Sequence, residues 1–215
     1  MLGIILKDFY ETFCLKKNLL GLLFVIICFG AIFFTMRNFY ALLLIVCVSL
    51  PYLGISTMQC SMEQDEICDF DQILLTYPLT RQEIIKAKLI SNLILTILSN
   101  VLISLPCVLV YVYIYKVCDL NSGITIWITG LIISFIFTAI NSIGFMALGN
   151  KKGSFVLVVF IIAYAIFYII LNYNINLVWF YESPNQLLIS GAIIAFILNI
   201  LSFYICLKIY NFKHS

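Results

Sequence analysis

Charge is what this sequence has least of. Asp, Glu, Lys and Arg make up 10% of its 215 residues, against 64% hydrophobic residues, a balance that no globule of this length has interior enough to hide. A soluble domain is excluded, and lipid has to solvate most of the surface. Histidine is nearly absent as well: His214 is the only one and sits in the tail, so a membrane metalloenzyme or a His-based intramembrane hydrolase lacks its parts. The acids, Asp8, Glu11, Glu63, Asp65, Glu66, Asp69, Asp71, Glu83, Asp119 and Glu182, all fall outside the long apolar runs. Ion-coupled carriers place an ionisable group mid-span despite a cost of about 2.5–3.5 kcal/mol. With none there, energy for any transport has to come from elsewhere.

Other absences narrow the reading further. No Walker A loop is present; GNKKGS at 149–154 has its glycines and lysines in the wrong spacing and falls in a short connection between apolar runs, so it cannot cradle a nucleotide. Cysteine is not scarce, but the eight thiols form neither a CxxC nor a metal-ligand pattern. Only Cys118 falls on the outer side, so no intrachain disulfide is expected. No catalytic group, metal site or cofactor site is read anywhere in the chain. The net charge of +2 gives no sign of nucleic-acid binding.

What the chain does have is long charge-free runs, at 18–36, 39–61, 89–115, 124–148, 154–171 and 187–210, each near the ~20 residues a helix needs to cross a bilayer. A membrane β-barrel would alternate lipid-facing and lumen-facing residues over short segments. The fold class is therefore an all-α integral membrane protein, a single transmembrane domain over 1–215 with six spans. Lys7, Lys16, Lys17, Arg81, Lys86, Lys88, Lys151, Lys152, Lys208 and Lys213 fall on one side of these spans, and Arg37 and Lys116 on the other. That bias places both termini and the segment 63–88 in the cytoplasm of a multi-pass cell-membrane protein. Tyr111, Tyr113, Tyr115, Trp127, Trp179 and Tyr181 gather at the outer ends, where amphipathic rings sit.

Residues 1–17 read as an amphipathic interfacial helix. Leu2, Ile5, Leu6, Phe9 and Phe13 share one face, and Lys7, Asp8, Glu11 and Cys14 take the other. A topogenic anchor and a partner-contacting elbow both fit that pattern. In the third run Asn92, Thr96, Asn100 and Ser104 recur every four residues on one helix face, ending before Pro106, and Asn141 lies in the fourth run. These residues suit interhelical hydrogen bonding or the lining of a polar pathway. Gly130, Ser134, Thr138 and Ser142 repeat at the same interval, a small-residue stripe that lets helices approach closely. Pro51 and Pro106 mark possible bends.

The longest polar interruption, 63–88, is the most informative part. It opens with EQDEICDFD, which is expected to project into water or meet a basic surface rather than lie on anionic headgroups. Asp69 with Gln72 offers a helix start, and Phe70, Ile73, Leu74 and Tyr77 give a short apolar face before Pro78. Thr80 and Glu83 then form a T-x-x-E capping box, with Arg81, Lys86 and Lys88 expected at the inner interface as the next helix rises. A short helix tied by capped turns to two spans transmits a push if it seats in a groove on another protein; lying flat on the bilayer is the alternative.

The run DFDQILLTYPLTRQEIIKAKLI resembles the second-to-third-span segment of six-span ABC-2-type transporter permeases, at Asp71, Leu74, Leu75, Pro78, Thr80, Arg81, Glu83 and Lys88. MLGIILKDFYE is similar to that family's interfacial N-terminal helix, and the topology agrees across nearly the whole length. The resemblance implies that 63–88 carries a coupling helix that docks on a separate ABC ATPase subunit, which binds ATP and Mg. It further implies that a second permease copy or a paralogue completes the pathway, and that cargo moves outward. Peptides, lipid-like molecules and drugs are the cargo classes that follow. The other readings are the substrate-binding membrane subunit of a nutrient uptake transporter, and a membrane immunity or scaffold protein.

Overall fold

Apolar residues in long unbroken runs satisfy their backbone only within helices when lipid surrounds them. The computed structural model describes residues 2–35, 37–174 and 184–213, and these hold helices and no strand. In chain order they are α1 (Leu2–Phe13), α2 (Lys16–Thr35), α3 (Phe39–Leu44), α4 (Leu50–Ile67), α5 (Phe70–Thr76), α6 (Arg81–Ser99), α7 (Leu105–Tyr113), α8 (Leu120–Asn174) and α9 (Pro184–Lys213). Among the described residues, Lys16–Thr35, Arg81–Tyr113, Leu120–Asn150 and Asn185–Lys213 are long and apolar enough to cross a membrane. The expected spans 39–61 and 154–171 coincide with helix, and part of each lies outside the described side chains. Trp179, Tyr181 and Glu182 also lie outside the described residues.

The two expected proline bends take a specific form. Residues Ile45–Ser49 join α3 to α4 as a π-helical turn, and Asn100–Ser104 join α6 to α7 in the same way. Each widened turn contains the residue four before a proline, Cys47 for Pro51 and Leu102 for Pro106. A proline ring collides with the carbonyl at that position and donates no hydrogen bond to it, so a wider turn there absorbs the conflict without breaking the helix.

Small residues then draw the helices together. A Cβ added to Gly130 of α8 would lie 2.7 Å from the Val46 carbonyl oxygen, and one added to Gly54 of α4 would lie 3.0 Å from Thr96 Oγ1. Gly130 therefore packs against a helix of its own chain. The connection expected at 149–154 narrows to a break at Gly149: two helices run together as α8 meet there, and Gly149 alone leaves the helical region, with φ 75° and ψ 178°.

Two apolar clusters mark opposite ends of the bundle. At the end that carries both α1 and the C-terminal turns of α9, Ile4, Leu74, Ile84, Ile85, Met146, Cys206 and Tyr210 pack together. At the other end Leu42, Ile45, Val46, Val108, Tyr111 and Ile126 do so. Tyr111, expected in an interfacial belt, is fully buried there and meets Phe33 of α2 edge-on at 5.4 Å. Trp127 is likewise drawn inward, its indole N–H donating to the Asn100 carbonyl at 3.4 Å. Arg37 sits over the Tyr115 ring at 5.2 Å at this same end.

Candidate functional site

The segment between α4 and α6 is built as a rigid projection. Asp69 starts α5 in the left-handed conformation (φ 48°, ψ 36°), its carbonyl accepting from Gln72 N–H at 3.0 Å. Asp69 is the N-cap residue, as expected, but its side chain makes no capping hydrogen bond: the turn is set by the backbone conformation that Asp tolerates better than most residues. After Pro78 the capping box forms as read. Glu83 N–H donates to Thr80 Oγ1 at 3.3 Å, and Thr80 N–H donates to Glu83 Oε2 at 2.9 Å. Arg81 reaches α9, with Nη1 3.5 Å from Asn211 Oδ1.

The apolar face of α5 divides in two. Leu74 is buried among Ile84, Ile85 and Met146, so its expected presentation as free apolar surface is corrected. Ile73 and Tyr77 remain exposed at 44% and 56%. Thus, among its described side chains, α5 buries Leu74, packs Phe70 partly against the same cluster and leaves Ile73 and Tyr77 exposed. Asp71 and Leu75 occupy α5, and their side chains lie outside those described.

Under α5 lies a buried charged node. Lys7 of α1 pairs with Asp65 of α4, reaches Glu11 at 3.1 Å, and holds its ammonium 3.9 Å from the Phe70 ring centroid of α5. The second oxygen of Asp65 takes Lys88 of α6 at 2.8 Å. Lys88 is buried, not at the lipid interface as expected, because Asp65 supplies the countercharge that burial demands. Asp8 accepts hydrogen bonds from Ser61 of α4 at 2.8 Å and from Ser91 of α6. Burial pushes the Asp8 carboxyl above its ordinary 3.8, outweighing the opposing Ser91, Ser61 and Lys7. Glu11 is raised by burial for the same reason. The polar face of α1 therefore seats on protein, and Leu2, Leu6 and Phe13 face outward.

The acidic run is correspondingly not a solvated spacer. Glu63 meets Lys17 at 2.6 Å, Asp65 sits in the node, and Glu66 accepts the Asn150 N–H just beyond the Gly149 kink. Each of these acids ties α4 to a different element.

A second polar feature runs along α6. Asn92, Thr96, Asn100 and Ser104 are all buried. Asn92 Nδ2 lies 3.5 Å from Ser142 Oγ and 3.3 Å from Met58 Sδ, and Asn100 Nδ2 donates to Ser134 Oγ at 3.3 Å. Asn141 instead donates to Phe137 in its own helix at 2.8 Å. The α6 and α8 stripes thus face one another within one chain. Asn92 Oδ1, Asn100 Oδ1 and Ser104 Oγ are buried without a hydrogen-bond partner among the described residues. A cavity of about 20 Å³ bordered by Asp8, Ser61, Lys88, Ser91 and Asn92 joins the stripe to the charged node. It has room for one water molecule.

The family model described as ABC-2 family transporter protein matches residues 3–211, taking in α1, the projecting α5 and the bundle together. The chain belongs to the ABC-2 transporter family. No curated protein and no solved structure matches it. As an ABC-2 permease it is the multi-pass membrane subunit of an ABC transporter, without an ATPase site of its own, and the family implies an ATPase partner.

Within this permease, sequence reasoning missed the node. Helical spacing puts Lys7, Asp8 and Glu11 on the polar face of an interfacial helix and leaves the run that holds Asp65 to meet water or a basic surface, without saying that the two meet each other. One signal was present: acids at an interface with anionic lipid are costly, so an acidic helix face next to a charged segment favours mutual pairing.

Proposed function

We propose that this ABC-2 permease is the membrane half of an exporter whose termini and α5 face the cytoplasm, with six spans and α5 serving as the coupling helix. A separate ATPase subunit binds ATP and Mg and docks on the exposed Ile73 and Tyr77 face. A second permease copy or a paralogue completes the pathway, and the cargo is a peptide, a lipid-like molecule or a drug moved outward.

The observation that carries this reading is the way α5 is held. Leu74 anchors it to α6, α8 and α9, Phe70 lies against Lys7, and Lys7 leads through Asp65 to Lys88. A displacement of α5 is thereby passed to α1, α4 and α6 rather than lost in a loose loop. The stripe between α6 and α8 supplies a place for that displacement to act: its spare buried acceptors each cost about 1–3 kcal/mol, a cost relieved when the helices part and water enters.

Changing Ile73 and Tyr77 to Glu tests the reading. The double variant should stay in the membrane, fail to co-purify with the co-expressed ATPase subunit, and lose transport. Undiminished ATPase association and transport would overturn the docking assignment.

A further inference from the structure

We propose that the lateral groove between α6, α8 and α9 holds an acyl chain of an anionic phospholipid, with the lipid phosphate on Lys86. The groove encloses about 1060 Å³, in the range of sites that take small amphiphiles. Its floor is hollowed by the small Ala192 and Ala195 of α9 between the larger Ile189 and Phe196. Close contact of Gly191 with Ile132, where an added Cβ would lie 3.3 Å from the Ile132 methyl, brings α9 against α8 along the outer half.

Charge decides the occupant. Lys86 is the one charged residue among the described residues lining the groove. Its ammonium stands 5.8 Å from the Phe203 ring centroid, at the inner end. Lys208, exposed one turn beyond Tyr204, adds positive charge next to that end. Asn199 brings the amide nearest mid-groove, and that amide already donates to the Phe135 and Ala195 carbonyls. Asn185 adds an amide at the far end and Tyr204 a hydroxyl at the inner end; the rest of the lining is apolar, with the one cation at the inner end, the pattern of a headgroup site between transmembrane helices.

The dimensions agree. From Tyr204 to Asn185 the groove follows α9 for about 28 Å at ~1.5 Å per residue. That is close to the whole ~30 Å hydrocarbon thickness, so one leaflet's acyl chain starting at Lys86 occupies its inner half. A second copy packed on this face would bury Lys86 in a seam where no lining residue is acidic, a costly arrangement for an unpaired charge. Which leaflet meets Lys86 follows from the orientation proposed above, but the lipid preference does not. It is read without ATPase or nucleotide, so its failure leaves the exporter reading standing.

The test uses the full chain in nanodiscs containing equal phosphatidylglycerol and phosphatidylcholine of matched chains, with lipids retained after a detergent wash counted by native mass spectrometry. Wild type should retain phosphatidylglycerol about fivefold over phosphatidylcholine, the fold-change that one basic residue near an anionic headgroup confers. Lys86→Gln should remove the preference, Lys152→Gln should leave it, and Ala192→Trp should reduce retention of both lipids. Equal retention by wild type, a preference that survives Lys86→Gln, or an equal loss in Lys152→Gln would overturn the proposal. So would an Ala192→Trp variant that changes oligomeric state while keeping its lipid, because the face would then belong to a second copy.

Discussion

Lys88 Nζ lies 2.8 Å from Asp65 Oδ2, with the two side chains only 6% and 2% exposed. This pair closes the turn between α4 and α6 from beneath, and Lys7 shares the same carboxylate from the other side. Removing Asp65 takes this countercharge from the buried Lys88, a change for which losses of about 3–5 kcal/mol are typical, whereas removing Lys88 leaves Asp65 paired with Lys7. Asp65→Asn should therefore lower the thermal unfolding temperature in detergent sharply, and Lys88→Met added to it should recover part of the loss. Additive losses in the double variant would show that the pair does not act as a unit.

Leu74 and Ile73 are neighbours in α5 with opposite surroundings, 2% and 44% exposed. Leu74→Ala should cost about 2–5 kcal/mol of stability, the range for truncating a buried leucine. Ile73→Ala should leave unfolding nearly unchanged and weaken ATPase association. Fluorescence-detected thermal melts and co-purification separate the two effects.

Thr80→Ala removes the side chain that receives Glu83 N–H. A loss of about 1 kcal/mol is expected for such a cap, read as faster amide exchange confined to the first turn of α6. Thr80→Ser should restore protection.

Gly130 admits no Cβ without displacing the Val46 carbonyl. Gly130→Ala should destabilise by about 1–3 kcal/mol through overpacking, whereas Gly144→Ala, where a Cβ meets nothing within 4 Å, should not. Melts of the two alanine variants side by side make the comparison.

Asp8 and Glu11 give the node a pH dependence with a definite sign. Both carboxyls are raised by burial above their ordinary 3.8 and 4.5, so seated α1 holds protons more firmly than α1 set free. Their contribution to seating is greatest below the ordinary values and declines as pH rises through the raised ones. Amide exchange in α1, corrected for intrinsic rates, should slow relative to α9 as pH falls from neutrality toward the ordinary carboxyl values of 3.8 and 4.5. In Asp8→Asn, which keeps one of the two acceptors and removes the titration, that trend should shrink.

The helical class, the polar segment and the Thr80–Glu83 cap were legible because each is a local pattern: an apolar run, a break in it, and a residue pair three apart. The node was not, because it depends on which residues distant in sequence meet. Nothing in the periodicity of α1 says whether its polar face meets water or protein, and only the carboxylate of Asp65 between Lys7 and Lys88 decides it. Leu74 was misjudged for a related reason. Helical spacing groups it with Ile73 and Tyr77, but Leu74 is buried in the cluster with Ile84, Ile85 and Met146 while those two stay exposed. The Asn92–Ser104 stripe was visible as a stripe, and its partners Ser134 and Ser142 lay in the matching stripe of α8.

Site-specific photocrosslinking tests the central claim most directly. With a photoreactive residue at Ile73, the co-expressed ATPase subunit should be captured, and the same residue at Ser122, at the opposite end of the bundle, should capture none. Capture from 122 but not from 73, with both proteins present in the complex, would contradict the assignment of α5 as the coupling element.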